Sequence, residues 1–199
     1  MIAKLLALVA FVLLANSTST QYRKGRPGSR RTILVPRVLY MEHCKDKRQH
    51  SLIVHNYSSL VDGRGVVYLN AAMEFQRTAK ALTTMKVVLH RCREAVSSNT
   101  CEYFVTWPFT AAICNMITTK GMMWSGFMSA FRPDFKCPIT KGLYLLENAT
   151  VDVSLGEAMS HINIAGNVWR AEVNLMDEKK ELFTCLNTAV LINRVNIKD

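Results

Sequence analysis

The side chains able to do chemistry in this chain are five histidines and six cysteines, and their spacing argues against catalysis. His43, His50, His55, His90 and His161 form no His-Glu-x-x-His pair and no other spacing that sets two metal ligands side by side. No Gly-x-Ser-x-Gly elbow presents a nucleophile, and the nearest glycine run, Gly63-Arg64-Gly65, reads as a turn rather than a phosphate loop. Cys44, Cys92, Cys101, Cys114, Cys137 and Cys185 are an even set, so every thiol can be paired and none need serve as a nucleophile. Zinc ligation lacks its Cys-x-x-Cys spacing. The residues therefore specify no catalytic group, no metal and no cofactor, and the chemistry left to the cysteines is disulfide formation. A secreted hydrolase stays as an alternative without an identifiable nucleophile.

Disulfides need an oxidising compartment, and the N-terminus supplies a route to one. Lys4 precedes an unbroken apolar run from Leu5 to Ala15, followed by small polar residues from Asn16 to Thr20. This predicts a signal peptide over residues 1–20, cleaved between about 15 and 20, and a secreted protein. An uncleaved anchor would need about 20 apolar residues. No later stretch approaches that length, so no transmembrane segment is expected after cleavage. The sequons Asn56-Tyr57-Ser58 and Asn148-Ala149-Thr150 are open to glycosylation there, which would place both asparagines on the surface.

The net charge of +10 raises nucleic acid as a partner. Much of it, however, sits in Arg23, Lys24, Arg26, Arg30 and Arg31, among Gly, Pro and Ser, and no aromatic RNA-binding motif accompanies it. Residues 21–36 are expected to form a flexible basic tail. Three readings of it stay open: a solvated extension, a surface for acidic glycans or lipid headgroups, and a dibasic processing site after Arg31. No nucleic acid is expected as partner. Residues 37–199 have the size and the apolar share of one globular domain.

Hydropathy of period two predicts the elements of that domain. Strands are expected over Arg37–His43, Ser51–Tyr57, Val66–Phe75 and Thr83–His90, with Asp62-Gly63 as a turn. Trp169, Ala171, Val173 and Leu175 alternate with polar partners, and a polar Asp177-Glu178-Lys179-Lys180 turn leads to a strand from Leu182 to Ile192. Trp124, Phe127, Met128 and Phe131 fall at helical spacing, which predicts one short amphipathic helix, weakened by Gly126 and ended by Pro133. Met116, Met122 and Met123 crowd its approach. A helix capping the core explains this pattern; so does a deformable apolar lining, because thioethers adapt to irregular ligands. The fold class expected is mainly β, an antiparallel β-sandwich or β-cup with one short amphipathic helix at the pocket mouth.

One ordered set of residues points to a family. Cys137-Pro138-Ile139, Lys141-Gly142-Leu143-Tyr144, Gly166-Asn167-Val168-Trp169-Arg170 and a last cysteine, Cys185, follow one another in a way that resembles the insect CheA and CheB chemosensory proteins. Those are similar in turn to the GM2-activator branch of lipid-recognition domains. The likeness covers about Cys101 to the C-terminus. It implies a β-cup holding an apolar ligand, with the Met116–Phe131 tract at its mouth, and bridges Cys44–Cys185, Cys92–Cys101 and Cys114–Cys137, the two local ones near that mouth. The GM2 activator carries a further local bridge that this chain lacks. Insect odorant-binding proteins, also with six cysteines, are helical and have a Cys-x-x-x-Cys pair, and the closest cysteines here are Cys92 and Cys101.

The function implied is a non-enzymatic carrier of a lipid, pheromone or cuticular hydrocarbon, with a chemosensory receptor or channel as a possible second partner. The expected pocket residues are Trp124, Phe127, Met128 and Phe131 at the mouth and Phe75, Met85 and Trp169 facing inward. The alternative is a secreted protein-interaction module of the same fold that holds no lipid.

Overall fold

The computed structural model describes residues 30–47 and 49–198. The expected signal peptide, and the expected tail as far as residue 29, lie outside them. Among the described residues nine strands form two antiparallel sheets, joined by three short helices, with Arg31–Ile197 as one compact unit. Strands β1 (Arg30–His43), β4 (Leu82–Cys92), β5 (Cys101–Phe109), β8 (Asn167–Asp177) and β9 (Leu182–Lys198) form the first sheet, in the order β1-β9-β8-β4-β5. Strands β2 (Leu52–Val61), β3 (Val67–Phe75), β6 (Phe131–Arg132) and β7 (Gly142–Ala149) form the second, in the order β2-β3-β7-β6. The helices are α1 (Ile113–Thr118), α2 (Ser125–Met128) and α3 (Val153–Ser160). The fold is a β-sandwich, and among the described residues no helix is long and apolar enough to cross a membrane.

Each expected strand is present, and the differences have physical causes. Strand β1 starts at Arg30, ahead of the expected boundary, because Leu34 is buried in a cluster with Trp169 and Ile192. The tail therefore gives way to strand before residue 36. The helix expected through Phe131 is a single turn, Ser125–Met128. Phe131 and Arg132 instead pair with Leu146 and Leu145 of β7, and Ala130 O accepts from Glu147 N at 3.1 Å. Sheet pairing there satisfies backbone groups that a short, glycine-containing helix would leave open.

The sheets close over an aromatic core at one end. Phe75 stacks on Phe183 with centroids 5.5 Å apart and meets Tyr144 edge-on at 5.1 Å, while Phe131 and Phe135 lie 5.1 Å apart. The polar turn after β8 contains a buried charge: Asp177 is 1% exposed. Its Oδ1 accepts from Lys179 N and Glu181 N, both at 2.9 Å, and its Oδ2 accepts from Arg77 Nη1. Arg77 also donates to Leu182 O at 3.0 Å and lies over the Phe183 ring. Burial alone would raise the Asp177 carboxyl, but Arg77 and the two N–H groups outweigh it and hold it below the ordinary range.

Three disulfides join Cys44 to Cys185, Cys92 to Cys101 and Cys114 to Cys137. The first ties the end of β1 to β9 across 141 residues, where Cys44 N donates to Cys185 O. The second closes the β4–β5 hairpin beside Val168 and Ala189. The third pins α1 to the segment ahead of β7.

Candidate ligand cavity

Strands β3 and β4 carry similar alternation but meet different surroundings. On β3, Leu69, Ala71, Met73 and Phe75 alternate into the sandwich and are all buried. On β4, Met85, Val87 and Leu89 point inward by the same rule, yet each stays partly exposed. They face space: a cavity of about 430 Å³ opens above them. The register carries it across the first sheet, since Val87 pairs with Val173 on β8 and Val173 with Leu186 on β9, and both partners are also part-exposed cavity walls.

The opposite wall is helical. Helix α1 contributes Met116 and Ile117, the α2 segment Met123, Trp124, Phe127 and Met128, and α3 Val153, Gly156 and Ser160. This wall packs closely at two glycines. A Cβ on Gly126 would lie 2.2 Å from Thr150 Oγ1 and 2.8 Å from its carbonyl oxygen, and one on Gly156 would lie 2.9 Å from Met123 Cε. Asp152 caps α3 by accepting from Leu155 N at 2.9 Å, and its own N–H donates to Met123 O. Glu157 then fastens α3 to β9, accepting from Arg194 Nη2 at 2.9 and 3.1 Å and from Ile164 N at 3.2 Å.

Every expected pocket residue lies on this cavity or on a smaller one beside it. Met85, Trp124, Phe127, Met128 and Trp169 line the larger. Phe75 and Phe131 line an inner chamber of about 120 Å³, with Met85, Phe127 and Met128 shared between the two. Phe75 and Phe131 are buried and belong to the aromatic core, so they form a floor and the expected place of Phe131 at the mouth is corrected. Trp107 on β5, 38% exposed, stands at the rim instead. Sequence reasoning missed it with Phe104, Phe109, Ile162 and Ile164. The β5 residues belong to an edge strand with no clean alternation, and the two isoleucines follow a helix that the hydropathy did not announce.

Two of the three indoles on the walls, and the Ser160 hydroxyl, are already engaged. Trp169 Nε1 donates to Ile164 O at 2.8 Å and Trp124 Nε1 to Met116 O at 3.2 Å. Ser160 Oγ donates to Gly156 O at 2.8 Å. Among the described residues no Asp, Glu, Lys, Arg or His lines the cavity. None of the three disulfides lines it either. Cys114–Cys137 starts from α1 itself and packs against the main core, and Cys92–Cys101 packs in a separate cluster; none of these cysteines is on the cavity lining.

Titratable side chains gather elsewhere. His43 and His50 face each other at 5.7 Å beside the Cys44–Cys185 bridge; burial, and then the nearby His50, lower the His43 pKa. Cys44, Glu172 and Cys185 come within 4.8 Å of one another, but both sulfurs are spent in the disulfide and Lys47 holds Glu172. A larger groove of about 560 Å³ runs outside, between Ile33–Pro36, Arg64–Val67 and Thr150–Ser154, and it mixes charged with apolar walls. Asn56 and Asn148 are both exposed. No protein-family model matches the sequence, and no curated protein shows significant similarity to it.

Proposed function

We propose that this protein is a secreted, non-enzymatic carrier of hydrophobic small molecules, of the CheA/CheB kind, serving contact chemosensation by presenting a lipid, pheromone or cuticular hydrocarbon to a receptor or channel. One observation carries the reading: Met85, Val87 and Leu89 face an apolar cavity of about 430 Å³, while the equivalent face of β3 is sealed. That volume falls in the range of small-molecule sites, roughly 300–1,000 Å³. Removing each ligand CH₂ from water contributes about 0.8 kcal/mol, so an alkyl chain binds without a polar anchor. The three bridges support a secreted protein, since they persist in an oxidising compartment. The chemosensory part rests on the resemblance of Cys137-Pro138-Ile139 and Gly166-Asn167-Val168-Trp169-Arg170 alone.

The test is native mass spectrometry of the protein secreted from insect cells, with uptake of an uncharged fluorescent probe after lipid extraction. A copurifying apolar ligand, or saturable uptake abolished by Val87→Trp, is expected. No ligand and no uptake would overturn the carrier reading.

A second reading, a protein-binding module of the same fold, draws on the outer face of β7, where Leu143 is 54% and Leu145 40% exposed. Leu143→Asp with Leu145→Asp discriminates: lost partner binding with unchanged probe uptake favours it.

A further inference from the structure

The cavity has two features that narrow its ligand beyond "hydrophobic". The first is electrostatic. Two of the three lining indoles, Trp124 and Trp169, and the Ser160 hydroxyl bond within the wall; the other polar side chains, Trp107 at the rim and Thr184 in the inner chamber, are neutral, and among the described residues no ionisable side chain lines either space. An ion placed there would lose its hydration without compensation.

The second feature is the division into two chambers. The larger and the inner chamber share Met85, Ile117, Phe127, Met128, Val173 and Leu186. Side chains alone separate them, and two of these are methionines, whose unbranched thioethers change rotamer at small cost. At roughly 30 Å³ per water-sized group, 430 Å³ holds about 14 non-hydrogen atoms, and the added 120 Å³ of the inner chamber brings the total to about 18.

We infer that the cavity selects an uncharged, flexible chain of about 14–18 non-hydrogen atoms, held without a charged partner, whose end passes between Met85 and Met128 into the inner chamber. This rests on the carrier reading above. It makes the methionine pair a chain-length gauge and the uncharged walls a filter against ionised ligands.

Displacement of an uncharged fluorescent probe tests both parts on the full secreted protein. At pH 8, where a carboxylic acid is ionised, methyl myristate should displace the probe at least about tenfold more effectively than myristate. Across saturated methyl esters, affinity should rise about fourfold per CH₂ and level off near 18 non-hydrogen atoms. Met128→Phe, or Met85→Phe should the first fail to fold, should bring the plateau down by about four atoms. Myristate binding as well as its ester, or a plateau unmoved in a folded variant, would overturn the inference while leaving the carrier reading intact. Probe uptake absent altogether overturns both.

Discussion

Replacing Arg77 by Met should destabilise the protein more than any exposed-charge substitution, with a pH dependence that identifies the cause. Arg77 is the only cation on the Asp177 carboxylate among the described contacts, and that carboxylate is 1% exposed. The substitution keeps the apolar stem but removes the charged bond to Oδ2, the bond to Leu182 O and the cation over Phe183. Two backbone N–H groups stay on Oδ1, so the carboxylate is left partly satisfied. One charged hydrogen bond is worth about 1.5–3 kcal/mol, and stranding a buried charge costs about 3–5 kcal/mol. Because the Arg77 side chain is itself 33% exposed, about 3 kcal/mol is the expected loss at pH 7. In a domain of this size that lowers the Tm by roughly 6–12 °C.

The sign with pH follows from the direction of the shift. The folded Asp177 carboxyl is held below its unfolded value, so its stabilisation is complete above the unfolded pKa of about 3.9 and is lost as pH falls through the lower folded one. In the variant burial has no cation to oppose it, and protonation on acidification relieves the stranded charge. The gap between the two proteins should therefore narrow from pH 7 towards pH 3. Urea unfolding at both pH values, with the disulfides intact, measures it as the midpoint difference times m. A loss below about 1 kcal/mol at pH 7, or a gap that stays constant down to pH 3, would refute the account of this ion pair.

Three further outcomes are expected. Removing the Cys44–Cys185 bridge by Cys44→Ala with Cys185→Ala frees a loop of 141 residues and should cost about 3–5 kcal/mol, read as a lowered urea midpoint. Gly126→Ala should cost about 1–3 kcal/mol because its Cβ meets the Thr150 backbone, whereas Gly156→Ala meets only the flexible end of Met123 and should cost under about 1 kcal/mol; thermal unfolding of the two in parallel checks the order. Glu157→Gln weakens the exposed pair with Arg194 and should change stability by no more than about 1 kcal/mol, while stopped-flow release of a bound probe should quicken, since α3 walls the cavity. Unchanged release in that variant would show that α3 is held by its apolar contacts alone.

Much of the first sheet was legible because β4 and β8 alternate apolar with polar residues. The alternation of Thr83 to His90 and of Trp169 to Met176 reports a period of two directly, and the sandwich follows from several such segments. Strand β7 was harder to read, since Leu143 and Leu145 are as apolar as the buried Tyr144 and Leu146 that alternate with them. Strand β5 is an edge strand carrying Pro108, which sheet pairing tolerates there and hydropathy does not signal. Helix α3 contains Gly156 and has no strong apolar stripe, so its position depends on the local Asp152 cap and on the Arg194–Glu157 pair, a contact between residues 37 apart in the chain.

By itself the sequence determined the β class, the even set of cysteines and the methionine- and aromatic-rich tract, because composition and period are local properties of the chain. It did not determine that Met85, Val87 and Leu89 face space while Leu69, Ala71, Met73 and Phe75 face a packed core. Both rows carry the same period, and what lies opposite each is decided by where the sheets part and which helices bridge the gap. Asp177 shows the same limit: its polar neighbours mark a turn, and only the approach of Arg77 from 100 residues away made it a buried charge. Burial depends on the partners that the fold brings together, and those partners are not neighbours in the chain.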